Sequence, residues 1–176
     1  MEYQNIIEVI NISKKFGSRQ ILKDVNFTCE SGKIYGFVGY NGSGKTVLLK
    51  CICGLLQIDS GKILVRGKAV GEELIGDAGI IIEHPAFLMN VSCRKNLELL
   101  YMINHKIDRS KIRQVMEQVR LDADSGKKVR DYSLGMRQRL AIAQVFMEDP
   151  GILILDEPMN GLDKQGIQEM WEILRD

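Results

Sequence analysis

No apolar stretch in this 176-residue sequence approaches the roughly 18 residues that a membrane-crossing helix needs. The start, Met1-Glu2-Tyr3-Gln4-Asn5, lacks the basic-then-apolar order of a secretory leader. The expectation is a chain that is soluble by itself, which leaves room for a membrane partner. Net charge is lacking too. Lysine and arginine number 24 against 23 acids, a formal charge of +1, so there is no global pull toward nucleic acid. The one local run of positive charge, Lys127-Lys128-Val129-Arg130, reads as a solvated loop. Histidine is scarce, and none lies near the cysteines in sequence. Cys29, Cys51, Cys53 and Cys93 have no metal-finger spacing. They read as small core residues of a protein kept in a reducing compartment. Repeats, low-complexity tracts and long linkers are also missing. What remains is one domain, large enough to bury a real core.

Against these absences one stretch stands out. Gly39-Tyr40-Asn41-Gly42-Ser43-Gly44-Lys45-Thr46 fits the phosphate-loop pattern G-x-x-x-x-G-K-[ST]. Gly42 and Gly44 lack side chains, so the backbone can curl and aim N–H groups at an anion. A helix beginning at about Gly44 adds its positive end to the site. Lys45 can reach the outer phosphates as a point charge. The Thr46 hydroxyl suits Mg²⁺, a hard cation that prefers oxygen. Residues 33–38, Lys33-Ile34-Tyr35-Gly36-Phe37-Val38, read as a buried strand entering the loop. Residues 47–55 read as the helix leaving it, with Gly54 near its end.

Short alternating pieces flank this unit. Residues 6–12, the set Val25, Phe27 and Cys29, and the run from Ser60 to Val65 predict strands of an antiparallel sheet, with Arg66-Gly67-Lys68 as a turn. Residues 79–83 predict a buried strand ending in an acid, Glu83. From about Phe87 to Asp149 the periodicity becomes helical. Ile112, Val115, Met116 and Val119 form one stripe, with Asp108 or Ser110 as its cap. Leu97, Leu100, Tyr101 and Asn104 form another. A last helix places Ile167, Met170, Trp171 and Leu174 on one side.

Ile152-Leu153-Ile154-Leu155 followed by Asp156 and Glu157 reads as a strand covered on both faces of a parallel sheet. Its acids then emerge at the carboxyl edge, where open α/β sheets bind ligands. Asp156 can hold Mg²⁺, directly or through water. Glu157 can orient or deprotonate a water beside a terminal phosphate, help worth about 10²–10⁴ in rate. Further back, Ser133 can cap a helix whose buried side holds Met136, Leu140, Ala143 and Met147. Arg137 and Arg139 crowd its first turn, a start that would welcome an anion.

These stretches together resemble the nucleotide-binding domain of ATP-binding-cassette transporters. GYNGSGKT resembles the family's Walker A, ILILDE its Walker B, and NGLD at Asn160–Asp163 its D-loop. SLGMR at Ser133–Arg137 resembles a variant of its LSGGQ signature. Glu83 stands where the family usually has the Q-loop glutamine, and Phe16 where it places an aromatic against adenine. The resemblance runs from about Ile6 to Asp176. It implies a phosphate-loop NTPase core of α/β class with an antiparallel β subdomain (both within residues 1–86). It also implies an inserted helical subdomain carrying the signature (87–149) and a return to the core (150–176).

It further implies ATP and Mg²⁺ as cofactors. ATP would be bound by Phe16, Gly39, Tyr40, Asn41, Gly42, Ser43, Gly44, Lys45, Thr46 and Val47. Catalysis would fall to Glu157, Lys45 and Glu83, and the metal to Thr46, Asp156 and Glu83. Ser133, Gly135, Met136 and Arg137 would act in trans, on the nucleotide of a second nucleotide-binding domain. The implied partners are that second domain and a separate membrane-spanning permease, faced by Phe87, Leu88 and Met89. Nucleic acid is not among them. The implied place is cytoplasmic, peripheral on the inner face of the cell membrane.

The departures are Glu83 for glutamine, Tyr40 for a common proline, and Met136 for the second signature glycine. The family's switch histidine would lie beyond Asp176, and neither His84 nor His105 fits that role. The expectation is therefore a C-terminally truncated cassette in which nucleotide binding survives. The Q-loop run IEHPAF paired with SLGM resembles the bacterial subgroup that exports bacitracin and lantibiotic-type peptides. Two other readings are a non-transport ATPase acting on DNA or ribosomes and a nucleotide-binding module that does not hydrolyse. The first usually carries a long coiled-coil insertion or two cassettes, and this chain has neither.

Overall fold

The computed structural model describes residues 4–71, 74–83 and 85–175. Two compact units divide the chain after Asp77.

In the first unit, β1 (Asn5–Phe16) and β2 (Arg19–Glu30) form a long antiparallel hairpin around a two-residue turn at Gly17, where φ is 57°. Helix α1 (Lys45–Ile52) follows, then β3 (Ser60–Val65) and the short β4 (Lys68–Ala69). The sheet order is β2-β1-β3-β4, antiparallel throughout. Alternation explains the register. Ile7 and Val9 point to the covered face of β1, opposite Val65 and Ile63 of β3, and all four are buried. Leu48, Leu49, Cys51 and Ile52 of α1 are buried as well, as is Cys53 at its end. The Arg66-Gly67 turn has positive φ at both residues, the geometry that joins tightly twisted strands.

One expected strand does not form. Residues 33–38 are irregular and exposed, with Ile34 60% and Val38 100% accessible. Among the described residues no strand of the first unit pairs with them, and without a ladder their backbone groups stay in water. Side chains tether them instead. The Phe37 ring meets Phe27 edge-on at 5.0 Å, and the Tyr35 hydroxyl accepts the Glu30 N–H at 2.9 Å.

The second unit opens with β5 (Ala78–Ile81), continues through α2 (Cys93–Tyr101), α3 (Arg109–Gln118) and α4 (Leu134–Phe146), and returns in β6 (Ile152–Leu155) before α5 (Lys164–Arg175). Strands β5 and β6 pair in parallel, Ala78 opposite Ile152 and Ile81 opposite Leu155. Each helix of the central group begins with a side-chain cap: Ser92 accepts from Lys95, Asp108 from Lys111, and Ser133 from Met136. Such caps contribute about 1 kcal/mol each. Asn96 is buried and ties the preceding loop to α2, bonding both the N–H and the carbonyl of Leu88.

The helical stripe Ile112, Val115, Met116 and Val119 is buried as its spacing predicts, against Leu97, Leu140 and Ala143. Three expectations need correction. Asn104 lies beyond α2 and is exposed, because the helix ends at Tyr101. On α5, Ile173 rather than Trp171 completes the buried face, and Trp171 lies outward under the Arg175 guanidinium. Leu153 is 38% exposed, so β6 is covered on one face only, as expected for a two-stranded sheet. Among the described residues no helix is long and apolar enough to cross a membrane.

Candidate functional site

In the first unit the loop from Gly39 to Thr46 is a tight curl closed onto itself. The Ser43 N–H donates to the Tyr40 carbonyl at 3.1 Å. Gly42 has φ of 80° and Gly44 of 96°, conformations that disfavour any side chain. A Cβ at Gly44 would also press on Ile21 and Leu22 of β2, at 3.0 and 3.1 Å. Helix α1 starts at Lys45 with Gly44 as its N-cap, as the sequence predicts. The amides of a helix's first turn have no intrahelical acceptor, so the curl presents donors. Tyr40, Asn41, Gly42 and Ser43 are exposed, while Thr46 and Val47 are half-buried. The Lys45 ammonium folds back into the curl and donates to the carbonyls of Gly39 and Tyr40, at 2.9 and 3.2 Å. Both acceptors are neutral, and both lie on the curl itself.

Phe16 ends β1 with its ring half exposed. The Lys14 ammonium lies 5.6 Å from the ring centroid and is itself paired with Asp59 at 2.9 Å. The ring is thus fixed beside a cation yet open to a flat partner.

In the second unit the acids stand where the parallel pair ends. The Asp156 N–H donates to the Ile81 carbonyl at 2.8 Å, which carries the β5–β6 ladder one step beyond β6. Asp156 is half-buried and Glu157 exposed. Glu83, two residues past β5, has φ of 68°, and Glu157 has φ of 48°. Both are acids held in a left-handed backbone that costs a non-glycine residue about 1–2 kcal/mol. The Glu157 carboxylate accepts a hydrogen bond from the Asn160 side-chain amide at 3.0 Å. Asp163 caps α5 by accepting the Gly166 N–H at 2.8 Å.

The start of α4 differs from expectation in one respect. Its arginines are already committed: Arg137 donates to the Tyr132 carbonyl at 2.5 Å, and Arg139 pairs with Glu169. Ser133 and Leu134 are exposed there, and Gly135 lies against Leu162, 3.3 Å from where a Cβ would be. Met136 packs on the helical core. Anion attraction at this end therefore rests on Ser133 and the backbone amides rather than on free guanidinium groups. His84 and Asp176 lie outside the described residues. Asn160, whose side chain reaches Glu157, was visible in the sequence only as the first residue of the NGLD run, and Gln138, which bonds Asn160, carried no signal. Their contacts span a loop and a helix that only folding brings together.

A family model described as ABC transporter matches residues 22–160. The chain is 39% identical over 176 residues to the bacitracin transport ATP-binding protein BcrA of Bacillus licheniformis, covering 96% of this chain and 56% of that one. It is 37% identical over 169 residues to the lantibiotic transport ATP-binding protein SrtF of Streptococcus pyogenes, covering 96% and 73%. Among solved structures, cbiO1 from Clostridium perfringens, part of the cbiONQ complex, superposes with a TM-score of 0.86 at 26% identity, covering 98% and 73%. Both the curled glycine loop and the strand ending in paired acids lie within the matched residues. The chain belongs to the ABC transporter family and has the fold of its ATP-binding subunits. It spans a little over half the length of several curated relatives it matches.

Proposed function

We propose that this chain binds and hydrolyses ATP as the ATP-binding subunit of an ABC transporter, working through a separate membrane-spanning subunit. The observation that carries this reading is the curled loop with the Lys45 ammonium folded inside it. A triphosphate offers that ammonium charged oxygens in place of two neutral carbonyls, a gain of about 1.5–3 kcal/mol for a charge-assisted bond. The amides of residues 42–47 supply further donors, and Phe16 offers its open ring to the adenine. Tyr40 and Asn41 contribute backbone.

The donors assigned to Mg²⁺ are hard oxygens, the Thr46 hydroxyl and the carboxylates of Asp156 and Glu83, which fit that ion chemically. When bound, Mg²⁺ would screen the charge that builds on the terminal phosphate oxygens. Glu157 orients the attacking water and accepts its proton, and Lys45 steadies the outer phosphates. Ser133 and the amides near Gly135 and Met136 serve a nucleotide held by a second nucleotide-binding domain. Arg137 supports them only through its bond to the backbone. ATP then acts as an adhesive between two such domains, and its hydrolysis loosens them.

The similarity to BcrA and SrtF, relatives named for bacitracin and lantibiotic transport, supports export of an antimicrobial peptide or drug. Such a subunit works on the cytoplasmic side, peripheral to the inner face of the cell membrane. Phe87, Leu88 and Met89 are its contacts with the permease; Leu88 and Met89 are exposed.

The test is nucleotide affinity, read with a fluorescent ATP analogue and Mg²⁺. Lys45→Ala should weaken binding by about 10- to 100-fold, the equivalent of one lost charge-assisted bond. Glu157→Gln should leave affinity within about twofold, because a water-orienting residue acts after binding. Unchanged affinity in Lys45→Ala would overturn the site assignment.

A further inference from the structure

Glu157 is exposed, and a free glutamate at the surface samples many rotamers. Here it does not stand alone. Its Oε2 accepts the Asn160 side-chain N–H at 3.0 Å, while the Asn160 backbone N–H donates to the Glu157 carbonyl at 3.1 Å. The two bonds clamp the same residue at both its side chain and its main chain. They also close the turn that gives Glu157 its φ of 48°. Asn160 is held in its turn from α4. The Gln138 amide on that helix donates to the Asn160 carbonyl at 2.8 Å.

Packing around this relay leaves little slack. A Cβ at Gly161 would sit 2.7 Å from the Leu134 side chain, and one at Gly135 would sit 3.3 Å from Leu162. The loop after Glu157 and the first turn of α4 therefore interlock by one glycine–leucine contact in each direction. The Gln138 amide has a fixed orientation as well. Its nitrogen faces a carbonyl, and its Oε1 is buried with no hydrogen-bond partner in the structure. The reverse orientation would set two oxygens against each other.

Resting on the reading of Glu157 as the residue that orients the attacking water, we propose that Asn160 is a positioning residue for hydrolysis and that Gln138 sets it from α4. Asn160 holds one carboxylate oxygen, leaving the other to meet the water. Its amide removes rotamers of Glu157 that point elsewhere. Its bonds go to Glu157 and to α4, so its effect is expected on turnover and not on affinity.

The experiment is steady-state ATP hydrolysis by the purified full-length protein, together with nucleotide affinity and amide hydrogen exchange. Asn160→Ala should lower kcat about five- to tenfold, the scale of one well-placed hydrogen bond, with KM and ATP affinity unchanged. Asn160→Asp, which removes the donor and sets a like charge against Glu157, should fall further. Asn160→Ser, which keeps a short donor, should recover part of the rate. Gln138→Met preserves side-chain volume without the donor. It should lower kcat about threefold and speed hydrogen exchange in the turn of residues 157–160, a readout that needs no turnover. In the Glu157→Gln background, Asn160→Ala should cost nothing more. Wild-type kcat in both Asn160→Ala and Asn160→Asp, where Glu157→Gln alone abolishes turnover, overturns this proposal and leaves the role of Glu157 standing. Full turnover in Glu157→Gln overturns the underlying reading and this one with it.

Discussion

Gly61 offers the sharpest test of how the first unit holds its register. It lies in β3 with φ of 86°, opposite the irregular stretch of β1 between Ile10 and Ser13. A Cβ there would fall 2.4 Å from the Asn11 carbonyl oxygen, 2.5 Å from that of Ile10 and 2.6 Å from the Asn11 carbonyl carbon. All three are backbone atoms and cannot swing aside. Gly61→Ala therefore faces two costs. The left-handed conformation costs an alanine about 1–2 kcal/mol. Parting two paired backbones costs about 1–3 kcal/mol more, the usual range for overpacking.

Together these give roughly 2–5 kcal/mol. For a chain of this size 1 kcal/mol moves Tm by about 2–4 °C, so a fall near 10 °C is expected. The control is Gly71→Ala in the same unit, where a Cβ meets nothing within 4 Å and φ is ordinary. That variant should stay within about 0.5 kcal/mol of wild type. Circular dichroism melts of the two variants decide the matter. Equal Tm values would refute the claim that β1 and β3 touch through Gly61. The consequence reaches the site, because Phe16 leaves the same strand beyond the bulge. A one-residue slip of β1 would turn its ring to the other face. A destabilised Gly61→Ala should accordingly also bind ATP less tightly.

Two further expectations follow from the charges and thiols. Asp59 is held below the usual carboxylate range, first by the Lys14 ammonium and then by the Lys15 N–H. Arg113 does the same for Asp124, and Arg120 for Glu172. Depressed folded-state values mean that the stabilisation is present above the ordinary carboxylate pKa and lost as pH falls through the folded one. Acid melts should thus steepen below about pH 4, and the triple variant Asp59→Asn, Asp124→Asn, Glu172→Gln should flatten that limb. A limb of unchanged slope in the triple variant would contradict the pairings. The thiols, all buried, should be inert in the folded protein. Burial raises each of them, pushing Cys53 up to about 12 and Cys93 to about 11. A thiol-disulfide reagent at about pH 8 should find no fast-reacting group until denaturant is added. A fast stoichiometric reaction in native buffer would show that one of these cysteines is not where the core places it.

Much of the fold was legible because local chemistry and burial agree. The Ile112, Val115, Met116 and Val119 stripe could face only inward, and Asp108 and Ser133 cap the helices their positions announce. The glycines at 42 and 44 demanded a curl, and the curl is there. What failed were inferences that needed a neighbour. Lys33–Val38 has the composition of a buried strand, but composition supplies no ladder, and no strand of its unit pairs with it. Leu153 looked covered for the same reason. An apolar run shows that a strand can be buried on both faces, not that two layers are present to bury it. Trp171 was misplaced because the spacing Ile167, Met170, Trp171, Leu174 fits one helical face, while a face shifted toward Ile173 fits Met170 equally well and is the one that is buried.

The site divides along the same line. Residue types with obligatory chemistry could be found one at a time: a lysine at the mouth of a glycine curl, a carboxylate pair ending a strand. Residues that act by contact could not. Arg137 and Arg139 advertise positive charge in the sequence, yet one is spent on the Tyr132 carbonyl and the other on Glu169. Gln138 advertises nothing, since amides are common on helix surfaces, and Asn160 shows only as the first residue of the NGLD run. Any role they have comes from contact: Gln138 donates to the Asn160 carbonyl, and Asn160 donates to the Glu157 carboxylate. If Glu157 aims a water as proposed, the group that fixes its rotamer is Asn160, three residues further along the same turn. Asn160 is tied in its turn to Gln138 of α4, nineteen residues upstream of Glu157. Motifs written as strings of adjacent letters record the acid and Asn160 but omit the bond from Gln138 that ties them to α4.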